Sequence, residues 1–122
     1  MSELSTLVTD GFTCTPTLDA AELSIVFAGS GDMHAVAPVA DYLKQVHELA
    51  VQCSLSRVSC DFRSLTFMNS SCFKAFVVWI DTVKNAPQPY AIRFLTDPNL
   101  HWQRRSLEAL RRLAMQVVSI EN

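Results

Sequence analysis

Three times in this chain a run of strand-forming residues gives way to a turn signal, and apolar residues spaced three and four apart follow. The first unit opens with "ELSIVFAG" (22–29), rich in β-branched and aromatic residues, and stops at "GSGD", where Asp32 follows Gly31. From 34 to 53, Val39, Leu43, Val46, Ala50 and Cys53 then recur along one helical face. "RVSCDF" (57–62) predicts a buried strand, followed by a helix that starts near Asn69 or Ser70. Phe73, Phe76, Val77, Ile80 and Val83 fall on one side of that helix. It ends at "NAPQP" (85–89), because Pro87 and Pro89 cannot continue it. "YAIRFL" (90–95) is a further strand, and residues 100–113 a helix that buries Leu107, Leu110 and Leu113. "MQVVSI" (115–120) closes the series, while "GFTCTPTL" (11–18), interrupted by Pro16, precedes it as an edge strand.

This order constrains the fold strongly. Successive strands joined by helices run parallel, since a parallel connection needs a crossover long enough to hold a helix. A short hairpin leading into such units gives an α/β fold. Its expected form is a mixed sheet of about five strands with three to four helices packed mainly on one face. The 122 residues fit one domain, 1–122, because two cores of half that size would each be marginal. At 49% apolar and 18% charged, the chain has the balance of a folded domain and not of a disordered one.

Several function classes drop out. Residues 1–56 carry seven acids against Lys44 alone, and residues 57–122 nine bases against five acids. That polarity can orient a charged partner, but it lacks the dense basic patch of a nucleic-acid binder. No apolar stretch reaches membrane-spanning length, and no secretory signal is visible, so a cytoplasmic protein is expected. Cys14, Cys53, Cys60 and Cys72 lack zinc-ligand spacing and read as reduced, mostly buried thiols. His34, His47 and His101 share no metal-ligand pattern, so neither metal nor cofactor is expected. "GSGD" is too short to cradle a phosphate, and neither Ser70 nor Ser71 has the glycines of a hydrolase elbow. The chain does not read as an enzyme. Arg104, Arg105, Arg111 and Arg112 form a stripe on the last helix, either a solvated face or a contact for an acidic partner.

The remaining feature is "NSS" at 69–71, where strand turns into helix. Asn and Ser cap helices by accepting hydrogen bonds from unpaired backbone N–H groups. The same N–H groups and the helix dipole also accommodate a phosphate, so a modified serine fits there without disturbing the fold. On a helical wheel Ser71 shares its face with Ala75, Val78, Thr82 and, at the edge, Trp79. That face either packs on a neighbouring helix or forms an apolar docking patch beside a modifiable hydroxyl.

"VSCDFRSLTFMNSSCFKAF" resembles the central motif of STAS domains, the fold of bacterial anti-sigma factor antagonists. In that motif a strand carrying Asp runs through an apolar connector to D-S-[ST]-G at a helix start. "LSIVFAGSGD" is similar to a second element, with Gly29 and Asp32 at the family's G-x-x-D. The resemblance sets Asp61 at the strand Asp, Asn69 in place of the motif Asp, Ser70 at its Ser and Ser71 at the phosphoacceptor. Cys72 stands where the family has Gly. It implies a non-enzymatic regulator of a partner-switching pathway. A serine/threonine protein kinase would phosphorylate Ser71, or Ser70, and a PP2C-type phosphatase would reverse it. Only the unmodified form would bind the kinase or anti-sigma factor, through Asn69, Cys72, Ala75, Val78, Trp79 and Asp32. The departures at Asn69 and Cys72 motivate the alternative of a constitutive scaffold that has lost the switch.

Overall fold

The computed structural model describes residues 4–122; Glu3, counted above among the acids of the first half, lies outside them. Strands β1 (Leu7–Thr9), β2 (Phe12–Asp19) and β3 (Glu22–Gly31) come first, and a 3-10 turn (Met33–Ala35) leads into helix α1 (Val36–Gln52). Then follow β4 (Arg57–Met68), α2 (Ser70–Lys84), β5 (Ala91–Leu95), α3 (His101–Leu113) and β6 (Val118–Glu121). The described residues thus form one mixed sheet of six strands, in the order β1-β2-β3-β4-β5-β6. The first two pairings are antiparallel and the last three parallel, as the helical crossovers require. The additional strand is β1, three residues that the hydrophobic pattern does not distinguish from a loop.

Alternation along each strand sorts the two faces. Leu23, Ile25 and Phe27 of β3, Val58, Cys60 and Phe62 of β4, and Ile92 and Phe94 of β5 all point to the helices and are buried. Phe27, Phe62, Phe76 and Phe94 meet there in tilted and edge-on contacts, with ring centroids 5.1–6.1 Å apart. The opposite face carries Glu22, Arg57, Ser59 and Arg93, side by side in register. The Glu22 carboxylate accepts from Arg57 Nε at 3.0 Å and from Ser59 Oγ at 2.8 Å, and Ser59 Oγ accepts from Arg93 Nε at 3.0 Å. These bonds let the open face carry charge without unpaired buried groups.

Strand β4 is twice the expected length. Its register against β3 slips between Val26 and Ala28 and again between Gly29 and Ser30. Each slip leaves one extra residue on β4, so the buried positions run Phe62, Leu65, Met68 instead of alternating. Broken alternation is why the pattern stops reading as strand at Phe62. Gln103 of α3, fully buried, closes the gap: its Nε2 donates to the carbonyls of Phe62 at 2.6 Å and Leu65 at 2.9 Å. Strand β3 also runs past its expected end. Gly29 sits at φ +93°, and a Cβ there would lie 2.1 Å from the Gly11 carbonyl oxygen. Only glycine fits.

Helix boundaries match the periodic segments closely, with three differences in burial. Cys53 caps α1 and is exposed, because the chain turns away there with Ser54 at φ 51°. Val77 and Leu113 are partly exposed at the margins of their helical faces. Cys14, Cys60 and Cys72 are buried.

Candidate functional site

Helix α2 starts where β4 runs out. Asn69 adopts φ −59° and ψ 142°, and its Oδ1 accepts the Ser71 N–H at 2.8 Å. This is side-chain capping of an otherwise unpaired donor. The Asn69 N–H donates to the Gly31 carbonyl at 2.7 Å, tying the helix start to the end of β3. Ser70 is exposed and Ser71 half-buried, so the two hydroxyls differ in access.

Cys72 is fully buried, and its thiol points to the Asp32 carbonyl at 3.9 Å. Burial, reinforced by the Asp32 charge, raises its pKa above the ordinary thiol value. A protonated, enclosed thiol is neither a nucleophile nor a surface contact. Cys72 therefore does not contribute its side chain to a docking face. Asp32 is exposed and holds the 3-10 turn, its Oδ1 accepting the His34 N–H at 2.9 Å. Asp32, Asn69 and Cys72 thus come together at one end of the sheet.

The rest of the expected docking face is arranged differently. Val78 is 64% exposed, but Trp79 is only 3% exposed, its Nε1 donating to Tyr90 Oη at 3.0 Å. Trp79 faces inward because a large amphipathic ring at the helix margin gains more by burial when a hydroxyl can receive its N–H. Together with Ala75, Val78 and Thr82 it lines a groove of about 450 Å3 against Ala40, Leu43, Lys44 and His47 of α1. The Ser71 face therefore leads into a cleft between α1 and α2.

Two apolar residues flank the serines that the helical pattern does not reveal. Met33, directly after Asp32, is 74% exposed, and Phe67, two residues before Asn69, is 50% exposed. Phe67 faces out because of the second β4 bulge. The only sequence signal was an apolar residue on either side of a polar junction.

Solved structures of other proteins share this fold. The chain is similar to an anti-sigma factor antagonist from Mycobacterium paratuberculosis, with a TM-score of 0.65 and 13% identity, covering 90% of this chain and 85% of that one. It is also similar to the anti-sigma factor antagonist SpoIIAA in its unphosphorylated form, with a TM-score of 0.58 and 15% identity, covering 91% and 87%. The chain has the STAS fold. No protein-family model matches the chain, and no curated protein is significantly similar to it.

Asp61 bonds to Arg63, accepting from Nε at 3.0 Å and from Nη2 at 2.8 Å, and the guanidinium holds its carboxyl below the usual range. On the basic stripe of α3, Arg111 pairs with Glu108. His47 Nδ1 lies 2.8 Å from Tyr90 Oη. Among the described residues no group of His, Cys, Asp and Glu is placed to hold a metal ion. No helix among them is long and apolar enough to cross a membrane.

Proposed function

We propose that this STAS-fold chain is a non-enzymatic, cytoplasmic regulator of a bacterial partner-switching pathway, made of one domain over 1–122. It binds a serine kinase or an anti-sigma factor through the surface at the start of α2. That surface comprises Asp32, Asn69, Ala75 and Val78 of the expected docking residues, extended by exposed Met33 and Phe67. A serine/threonine protein kinase phosphorylates Ser71, or Ser70, and a PP2C-type phosphatase removes the group. The added charge, roughly −1.5 to −2, enters at the helix start that these apolar residues flank along the chain and opposes an apolar contact with this surface.

One observation carries the reading. Two adjacent hydroxyls stand at a capped helix N-terminus with exposed apolar side chains on the flanking segments. Such a surface gives a partner apolar area and a modifying enzyme a reachable hydroxyl. Incubation with the cognate kinase, followed by mapping of phosphate by mass spectrometry, tests it. Phosphate at Ser71 or Ser70 is expected, and modification confined to other residues overturns the proposal.

A second reading is a constitutive STAS scaffold. Half-burial of Ser71 favours it, because a kinase needs its target hydroxyl accessible. Under that reading a Ser71→Asp variant binds the partner with unchanged affinity.

A further inference from the structure

Tyr90, directly before β5, joins α1 to α2 through its hydroxyl. Tyr90 and Trp79 are buried, while His47 is half-buried at the wall of the α1–α2 groove. Among the described residues, Tyr90 Oη has two polar partners, Trp79 Nε1 at 3.0 Å and His47 Nδ1 at 2.8 Å. Donor chemistry assigns the protons of this chain. An indole nitrogen only donates, so Tyr90 Oη accepts from Trp79. Burial pushes the Tyr90 phenol above its ordinary range, so it keeps its single proton. That proton goes to His47 Nδ1, the one acceptor in reach. His47 is then neutral, with its own proton on Nε2.

A second proton on His47 breaks this order. Nδ1 becomes a donor, and the Tyr90 O–H loses its acceptor inside the protein, which is costly. The neighbouring charges oppose one another: Lys44 and Glu48 of α1 both line the groove beside His47, one disfavouring and the other favouring a proton there. The α2 residues that line it, Ala75, Val78, Trp79 and Thr82, carry no charge. Cys60 of β4, near Tyr90, is buried, and its thiol stays protonated. The hydrogen-bond chain therefore decides what protonation does.

We propose that His47, Tyr90 and Trp79 form a proton-operated latch. Neutral His47 holds α1 against α2, and protonation releases that contact and loosens the helix that carries the serines. No serine hydroxyl takes part in the chain, so the latch operates whether or not they are modified. It works in the pH range where histidine side chains change charge.

The test is nuclear magnetic resonance of the full chain, titrated from about pH 8 to about pH 5. Nitrogen shifts of the His47 ring are expected to show the Nε2–H tautomer at the alkaline end. As the ring takes its proton, the Trp79 indole N–H, assigned by its loss in Trp79→Phe, is expected to shift with the same midpoint. Its hydrogen exchange at the acid end is expected to be several-fold faster than in His47→Gln at the same pH. That variant keeps an acceptor for Tyr90 but cannot titrate. Tyr90→Phe is expected to uncouple the Trp79 signal from His47. An Nδ1–H tautomer overturns the proposal, as does a Trp79 signal that titrates alike in the parent and His47→Gln. Equal exchange in those two proteins overturns it as well. Should Tyr90→Phe fail to fold, the tautomer and the His47→Gln comparison decide alone.

Discussion

The Asn69 side chain, and not a serine hydroxyl, accepts the Ser71 N–H, at 2.8 Å. Capping and modification are thereby divided between neighbouring residues, and both serine hydroxyls are left out of the cap. Asn69→Ala is expected to destabilise the protein by about 1 kcal/mol in urea unfolding, the usual cost of a lost cap. Asn69→Asp keeps the acceptor and adds a charge that the helix dipole favours, so it is expected to match or exceed the parent.

Gln103 is the second polar pivot. Its side chain satisfies the Phe62 and Leu65 carbonyls, and its Oε1 accepts the Asp97 N–H at 3.1 Å. Gln103→Leu leaves these groups unpaired inside the protein, at a cost of about 2–4 kcal/mol. The denaturation midpoint is expected to drop while the urea slope stays constant.

Thiol chemistry separates the cysteines. Burial pushes the Cys14 thiol up to about 12, and the Cys60 thiol well above its ordinary value. Cys72 is enclosed too, and Cys53 alone is exposed. Native protein treated with a thiol reagent at neutral pH is expected to react at Cys53, and the other three only after unfolding.

The open sheet face makes stability depend on acid. Hydrogen bonding from Arg57, with Ser59 and the Arg93 charge contributing, holds the Glu22 carboxyl below its ordinary range. A depressed carboxylate pKa contributes stability that is present above the unfolded value and lost as pH falls through the folded one. Unfolding free energy is therefore expected to decline on the acid side of the usual glutamate range. Glu22→Gln is expected to flatten that decline, as measured by urea unfolding at several pH values.

Much of the architecture was legible because periodicity survives where elements are regular. Val39, Leu43, Val46 and Ala50 mark the buried face of α1, and Phe76, Ile80 and Val83 that of α2. The far half of β4 was hidden because its bulges break the alternation between Phe62 and Met68, and Gln103 because its role depends on carbonyls that those bulges create. At the candidate site the motif located Asp32, Asn69 and the serines, but a helical wheel cannot tell that Trp79 turns inward. That outcome rests on Tyr90, eleven residues away, offering its hydroxyl. Met33 and Phe67 escaped because exposure in turns and bulges carries no period.

The central claim is that modification beside this apolar surface controls docking. Isothermal titration of the cognate kinase or anti-sigma factor into unmodified and serine-phosphorylated protein measures it directly. The phosphorylated form is expected to bind at least about tenfold more weakly, with Val78→Asp mimicking the loss at unchanged stability. Equal affinities of the two forms contradict the account.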